Sequence, residues 1–175
     1  RQDRREPCPE AWDNALQSIE RLLVSGRCYL IVAEFLLRIW NEQREKTPVL
    51  GMTNLVLERY LQSSSRTLSK FAFEQLAYEP TRIKELQPAS VARGLAVLPI
   101  RDAENYFNIF FPAEEELVPS GWKKRFAYDF DDAIYSQQKD GPSNGPNLKT
   151  LTLGLLAMRL AWGGRIKVKP DKIGS

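Results

Sequence analysis

The sequence predicts a mainly α-helical protein: one domain, an irregular helical bundle over residues 1–175, with a short basic C-terminal extension or strand. Three observations carry this. Nearly every apolar segment repeats at three or four residues rather than two, the period of a helix face and not of a strand. A hydrophobic content of 43% beside 27% charged residues, with four tryptophans, suits a chain that packs a core. At 175 residues the chain has the length of one ordinary domain.

From Pro9, residues Trp12, Ala15, Leu16, Ile19, Leu22 and Leu23 keep the spacing of a helix with one buried stripe, which Gly26 breaks. A second helix sets Cys28, Ile31, Val32, Phe35, Leu36, Ile39 and Trp40 on one side and Glu34 and Arg38 on the other, and ends at Thr47 and Pro48. Thr53 is positioned to cap a third helix through Leu57 and Leu61. After Ser63, Ser64 and Ser65, Thr67 is positioned to cap a fourth through Phe71 and Leu76. Between Pro80 and Pro99 only short helices fit, such as Ala89 to Leu98. Asp102 starts another through Tyr106, Phe107, Phe110 and Phe111, stopped by Pro112. A loop from Pro112 to Gly121 leads into a helix that groups Trp122, Phe126, Phe130, Ala133 and Ile134. Residues 140–147, rich in Gly, Pro, Ser and Asn, read as an exposed loop. Leu148 to Trp162 reads as a strongly apolar helix ended by Gly163 and Gly164, and residues 163–175 as a basic tail in which Arg165 to Lys169 alternate.

Composition excludes much chemistry. With no histidine, every Ser-His, Cys-His and His-metal arrangement is ruled out within the chain. Two cysteines without histidine cannot make the usual four-ligand zinc sites. Asp129, Asp131 and Asp132 are the compact acidic group that a hard cation would need, with a solvated helix face as the alternative reading. Glu114, Glu115 and Glu116 read as a solvated turn, and Ser120 with Lys123 matches Ser-x-x-Lys without its companion motifs. Neither phosphate-binding glycine loop is present. The expectation is a protein that is not an enzyme and holds no cofactor or metal. Cys8 and Cys28 fit a reducing compartment, hence the cytoplasm, although a bridge between them is compatible with the sequence. No apolar run reaches the roughly 18 residues of a membrane span. The start at Arg1 rather than methionine reads as a processed product, a piece of a longer polypeptide or the ordered part of one.

Charge points to binding. The formal net charge is +3, but residues 149–175 carry Lys149, Arg159, Arg165, Lys167, Lys169 and Lys172 against Asp171, a local +5 that leaves the remainder at −2. A second basic group, Lys123, Lys124 and Arg125, stands beside Trp122, Phe126 and Tyr128, a mixture able to bind a nucleic-acid backbone and stack on unpaired bases. The alternative is that Trp122 and Phe126 belong to the core while the cations are solvated. The candidate contacts are therefore Lys123, Lys124, Arg125, Arg159, Arg165, Lys167 and Lys169.

Thr47-Pro48-Val49-Leu50, Val56-Leu57, Thr67-Leu68, Ala72 and Asn105 to Phe111 together resemble the helical C-terminal region of type I-D CRISPR large subunits, the region also made as a separate small subunit. The resemblance covers less than half the chain and transfers no site residue individually. It implies a non-catalytic helical subunit that packs along a guide-RNA backbone and helps hold target or displaced DNA. The expected partners are thus other protein subunits and a nucleic-acid backbone, RNA or DNA, with no membrane. The rival expectation is a scaffold domain that touches protein alone, marked by an exposed apolar stripe around Phe107, Phe110 and Phe111.

Overall fold

A computed structural model describes residues 9–43 and 51–140. Among them the chain forms α1 (Pro9–Ser25), α2 (Leu30–Gln43), α3 (Asn54–Leu61), α4 (Arg66–Ala77), a 3-10 helix (Pro80–Glu85), α5 (Pro88–Val97), α6 (Ile100–Phe110) and α7 (Ser120–Asp140), and no strand. The mainly helical class follows from the three- and four-residue spacing, as expected. Cys8, the expected stop at Thr47, the loop after Asp140, the apolar stretch 148–162 and the basic tail lie outside the described residues.

Local chemistry explains most boundaries. Gly26, at φ +64°, closes α1 in a conformation that a side chain disfavours. Thr53 caps α3, its hydroxyl accepting from Val56 N at 3.3 Å. The cap of α4 is Ser65, which accepts from Leu68 N at 3.2 Å, and not Thr67; Ser64, at φ +63°, turns the chain into it. Pro88 opens α5 in the first turn, where the missing N–H costs nothing. α6 begins at Ile100, directly after Pro99 and two residues ahead of Asp102.

α5 is the centre of the bundle, packing against α3, α4, α6 and above all α7. Its buried residues include Ser90, Ala92, Gly94 and Ala96, whose small side chains let neighbouring helices approach. The closest approach is at Gly94: a Cβ placed there would stand 2.5 Å from Leu61 Cδ2 and 3.2 Å from both Leu61 Cβ and Phe73 Cε2. Buried Ser90 is satisfied from α3, donating to Glu58 Oε1 at 3.1 Å while Gln62 Nε2 donates to it at 2.5 Å. Aromatic rings fill the remaining volume. Phe73 stacks on Tyr106 at 5.3 Å and lies 5.8 Å from Phe110, and Phe126 stacks on Phe130 and on Trp122, each at 5.6 Å.

α1 and α2 attach at one edge. Tyr60 donates its hydroxyl to Leu23 O at 2.6 Å, Arg59 donates to Gly26 O, and Trp40 of α2 meets Phe71 of α4 edge to face at 6.2 Å. Leu16 and Leu23 are the buried residues of α1, with Trp12 and Leu22 left partly in solvent. In α2 the expected face holds in part: Trp40 is buried and Cys28 and Leu36 pack against the core, but the rest of the stripe is turned away. Ala33, Leu37 and Trp40 are buried, whereas Ile31, Val32 and Phe35, assigned to the inner stripe by spacing, are exposed. Nine of its fourteen residues are apolar, more than one face can bury, so its neighbours select the buried side. Small Ala33 permits the close approach that Phe35 would block.

Two predictions follow from this packing. Gly94→Ala improves helix propensity by about 1 kcal/mol but overpacks a closed site at a cost of about 1–3 kcal/mol, so the expected net loss is about 1 kcal/mol. At Gly121, where an added Cβ meets nothing within 4 Å, alanine gains about 0.5 kcal/mol. Urea midpoints that move the same way in both variants contradict the assignment. The second concerns alkaline pH. Burial, with a smaller contribution from the charge of Cys28, pushes the Tyr60 phenol up to about 12, and burial raises Tyr106 as well. An unfolded phenol ionises near about 10, so the stability held by the neutral rings is complete below that value. It is lost as pH rises from about 10 to about 12. Denaturation series across this window should show the fall, and Tyr60→Phe should flatten it; a wild type of constant stability refutes the reading.

Candidate nucleic-acid interface

α7 presents the first basic group because α5 takes its other side. Phe126, Phe130 and Ile134 are buried in the core, and Trp122 donates its indole N–H to Leu86 O at 2.9 Å while stacking on Phe126. Trp122 and Phe126 are thus packing residues, as in the reading that assigned them to the core, and the base-stacking alternative does not fit their positions. Of the aromatic neighbours, Tyr128 is the exposed one, at 68%.

The three cations are not equivalent. Lys123 has a side chain only 13% exposed and pairs with Glu116 of the loop before α7. The Lys123 ammonium in turn holds the Glu116 carboxyl below the usual carboxylate range. Arg125 pairs one turn on with Asp129 at 3.2 Å and lies over the Tyr128 ring at 5.6 Å. Lys124 is exposed and has no ion-pair partner among the described residues. The helix therefore brings the three together in sequence but offers one uncommitted cation to a phosphate. Arg159, Arg165, Lys167 and Lys169 lie outside the described residues.

Charge divides along the same line. The described residues carry 14 Lys and Arg against 18 Asp and Glu, a formal −4, so the residues outside them hold +7 of the chain's formal +3 balance. The acidic reading of Asp129, Asp131 and Asp132 resolves similarly. Asp129 serves Arg125, and no group of three or more Cys, Asp or Glu poised to hold a metal occurs among the described residues. Lys123 is directed to Glu116, which separates it from the Ser-x-x-Lys reading with Ser120.

Two features escaped the sequence reading. One is the exposed apolar face of α2. The other is a cleft of about 400 Å³ where α4 meets the start of α6, walled by Arg66, Lys70, Glu74 and Asp102 over Leu98 and Pro99. Lys70 and Asp102 pair within it at 3.8 Å, so its charges are matched largely from inside. Its residues come from distant parts of the chain, and no spacing announces them. No described helix is long and apolar enough to cross a membrane.

Compared with known proteins, the chain matches no family model, no curated protein and no solved structure.

Proposed function

We propose that the chain is a non-enzymatic helical module of a nucleoprotein complex, and that it meets the nucleic-acid backbone chiefly through Arg159, Arg165, Lys167 and Lys169, with Lys124 as an accessory contact. Segregation of charge carries this reading. The helical body is formally −4, and a polyanion is repelled by it except where a local cation stands free, whereas residues 149–175 supply +5 in 27 positions. The resemblance to the helical region of type I-D CRISPR large subunits points the same way, toward a subunit that lies along a guide RNA and holds DNA without cutting it. One observation favours a protein partner instead: the apolar face of α2, which a scaffold would bury. The stripe of Phe107, Phe110 and Phe111 does not serve that reading, since Phe107 and Phe110 are buried and Phe111 packs on Phe126 at 5.1 Å.

Binding of single-stranded and duplex nucleic acid, followed by fluorescence anisotropy across salt concentrations, tests the proposal. Each phosphate contact removed lowers the logarithmic salt slope by roughly 0.7–0.9. Replacing Arg159, Arg165, Lys167 and Lys169 by glutamine should lower it by roughly 3, with base sequence mattering little. Replacing Lys123, Lys124 and Arg125 together should lower it by one contact rather than three, because two of those cations already serve carboxylates. A wild type that binds neither form at low salt ends the nucleic-acid reading and leaves the protein partner.

A further inference from the structure

The outer face of α2 carries two rows of side chains, each advancing by four residues. One row is apolar: Ile31, 80% exposed, Phe35, 61% exposed, and half-buried Ile39, with Val32 beside them. The other is charged, with Glu34, Arg38 and Glu42 in the order minus, plus, minus. Glu34 and Arg38 pair at 2.6 Å, yet the Arg38 side chain stays 62% exposed. Ala33, Leu37 and Trp40 hold the opposite side in the core, so neither row is needed to build the bundle. An exposed apolar row rimmed by charges has the make-up of an interface rather than of a solvated face.

The order of residues in the two rows identifies the occupant. A closed dimer sets one patch against its own copy around a two-fold axis, so the patch must complement itself. When two α2 helices run antiparallel with the axis level with Leu36, residues equally far before and after it lie level across the interface. Arg38 then lies level with Glu34 of the second copy, and Glu34 with Arg38 of the second copy. In the apolar row Ile39 falls midway between Ile31 and Phe35 of the second copy, about 3 Å along the axis from each, so the rows interlock as ridge into groove. A parallel, in-register pairing fails the same criterion. It sets Glu34 against Glu34, Arg38 against Arg38 and Glu42 against Glu42, and like charges brought together oppose binding.

We propose that the chain forms a two-fold symmetric dimer through the outer face of α2, with the two helices antiparallel. Ile31, Phe35 and Ile39 interlock, and Glu34 and Arg38 of both copies form one four-member ion-pair network. The fourteen residues of α2 extend about 21 Å. A contact of that length belongs to the class that buries less than about 1,200 Å² in total, whose members associate weakly and reversibly. The dimer is therefore populated at high chain concentration. It needs no nucleic acid and is independent of whether the basic residues meet phosphate.

Sedimentation equilibrium of the full chain without nucleic acid, at concentrations up to about 0.5 mM, should show a reversible transition from monomer to dimer. Ile31→Glu with Phe35→Glu should leave a monomer throughout; both residues lie at the surface, so the helical circular dichroism should survive. Arg38→Glu should weaken the dimer at least about tenfold, and adding Glu34→Arg, which restores opposite charges across the axis, should recover it. Direction is read by disulfide formation in chains that also carry Cys8→Ser and Cys28→Ala. Ile31→Cys chains mixed with Ile39→Cys chains should link to each other. Ile31→Cys alone should not link, because the two copies of that position lie about 15 Å apart along the axis, beyond the roughly 7 Å that a disulfide allows between Cα atoms. A chain that stays monomeric at every concentration overturns the dimer, and so does association that the paired glutamates leave intact. Ready linkage of Ile31→Cys to itself overturns the antiparallel arrangement.

Discussion

The close approach of α5 to its neighbours is the constraint on which the bundle depends. Four helices crowd one ten-residue helix, and they do so because Ser90, Ala92, Gly94 and Ala96 offer almost no side-chain bulk. The larger residues come from outside: Leu61 and Phe73 stand where a Cβ of Gly94 would be, and Phe126 and Phe130 line the inner side of α7. Close packing raises the demand for polar satisfaction, which Glu58 and Gln62 meet at Ser90. Glu58 also accepts from Gln87 N at 3.4 Å, placing a negative charge at the start of α5, where the helix dipole favours it.

The central position of α5 decides what the surface can do. By taking the apolar side of α7, it leaves an outer side where Lys124, Arg125 and Tyr128 stand among Asp129, Asp131 and Asp132. Ion pairs on such a side contribute little to stability, but they commit the cations involved. A basic run in sequence is therefore not a basic patch in space. The formal charge of the described body, −4, makes the same point over a larger area, and it moves the weight of any phosphate contact to the residues after 148. α1 and α2 stand apart from this arrangement. They reach the centre chiefly through α3 and α4, by Tyr60 and Arg59 at the end of α1 and by Trp40 on Phe71.

Much of the fold was legible because its punctuation is local. Gly26, Thr53, Pro88 and Pro112 act on neighbouring backbone, and helix boundaries near them follow directly. Orientation was less legible. Spacing alone placed Ile31, Val32 and Phe35 inward, since nine apolar residues in α2 define a wide stripe and small Ala33 reads as a weak signal. What settled the matter is the shape of α4 across from it, forty residues away. The choice of Ser65 over Thr67 as a cap is of the same kind: both hydroxyls are competent, and the turn at Ser64 selects between them. At the candidate site, the Arg125–Asp129 pair was visible as an i, i+4 spacing, whereas Lys123 and Glu116 meet across a loop whose course no local rule supplies. The roles of Phe110 and Phe111 depended likewise on Phe73 and Phe126, which lie on other helices.

If α5 organises the bundle, its backbone must be the last to open. Native-state hydrogen exchange measures this residue by residue. The account predicts that amides of Ala92 to Ala96 exchange only through global unfolding, together with those of α3 and α4 that face them, while α1 and α2 open at lower free energy. Amides in α5 that exchange faster than those of α2 would contradict it.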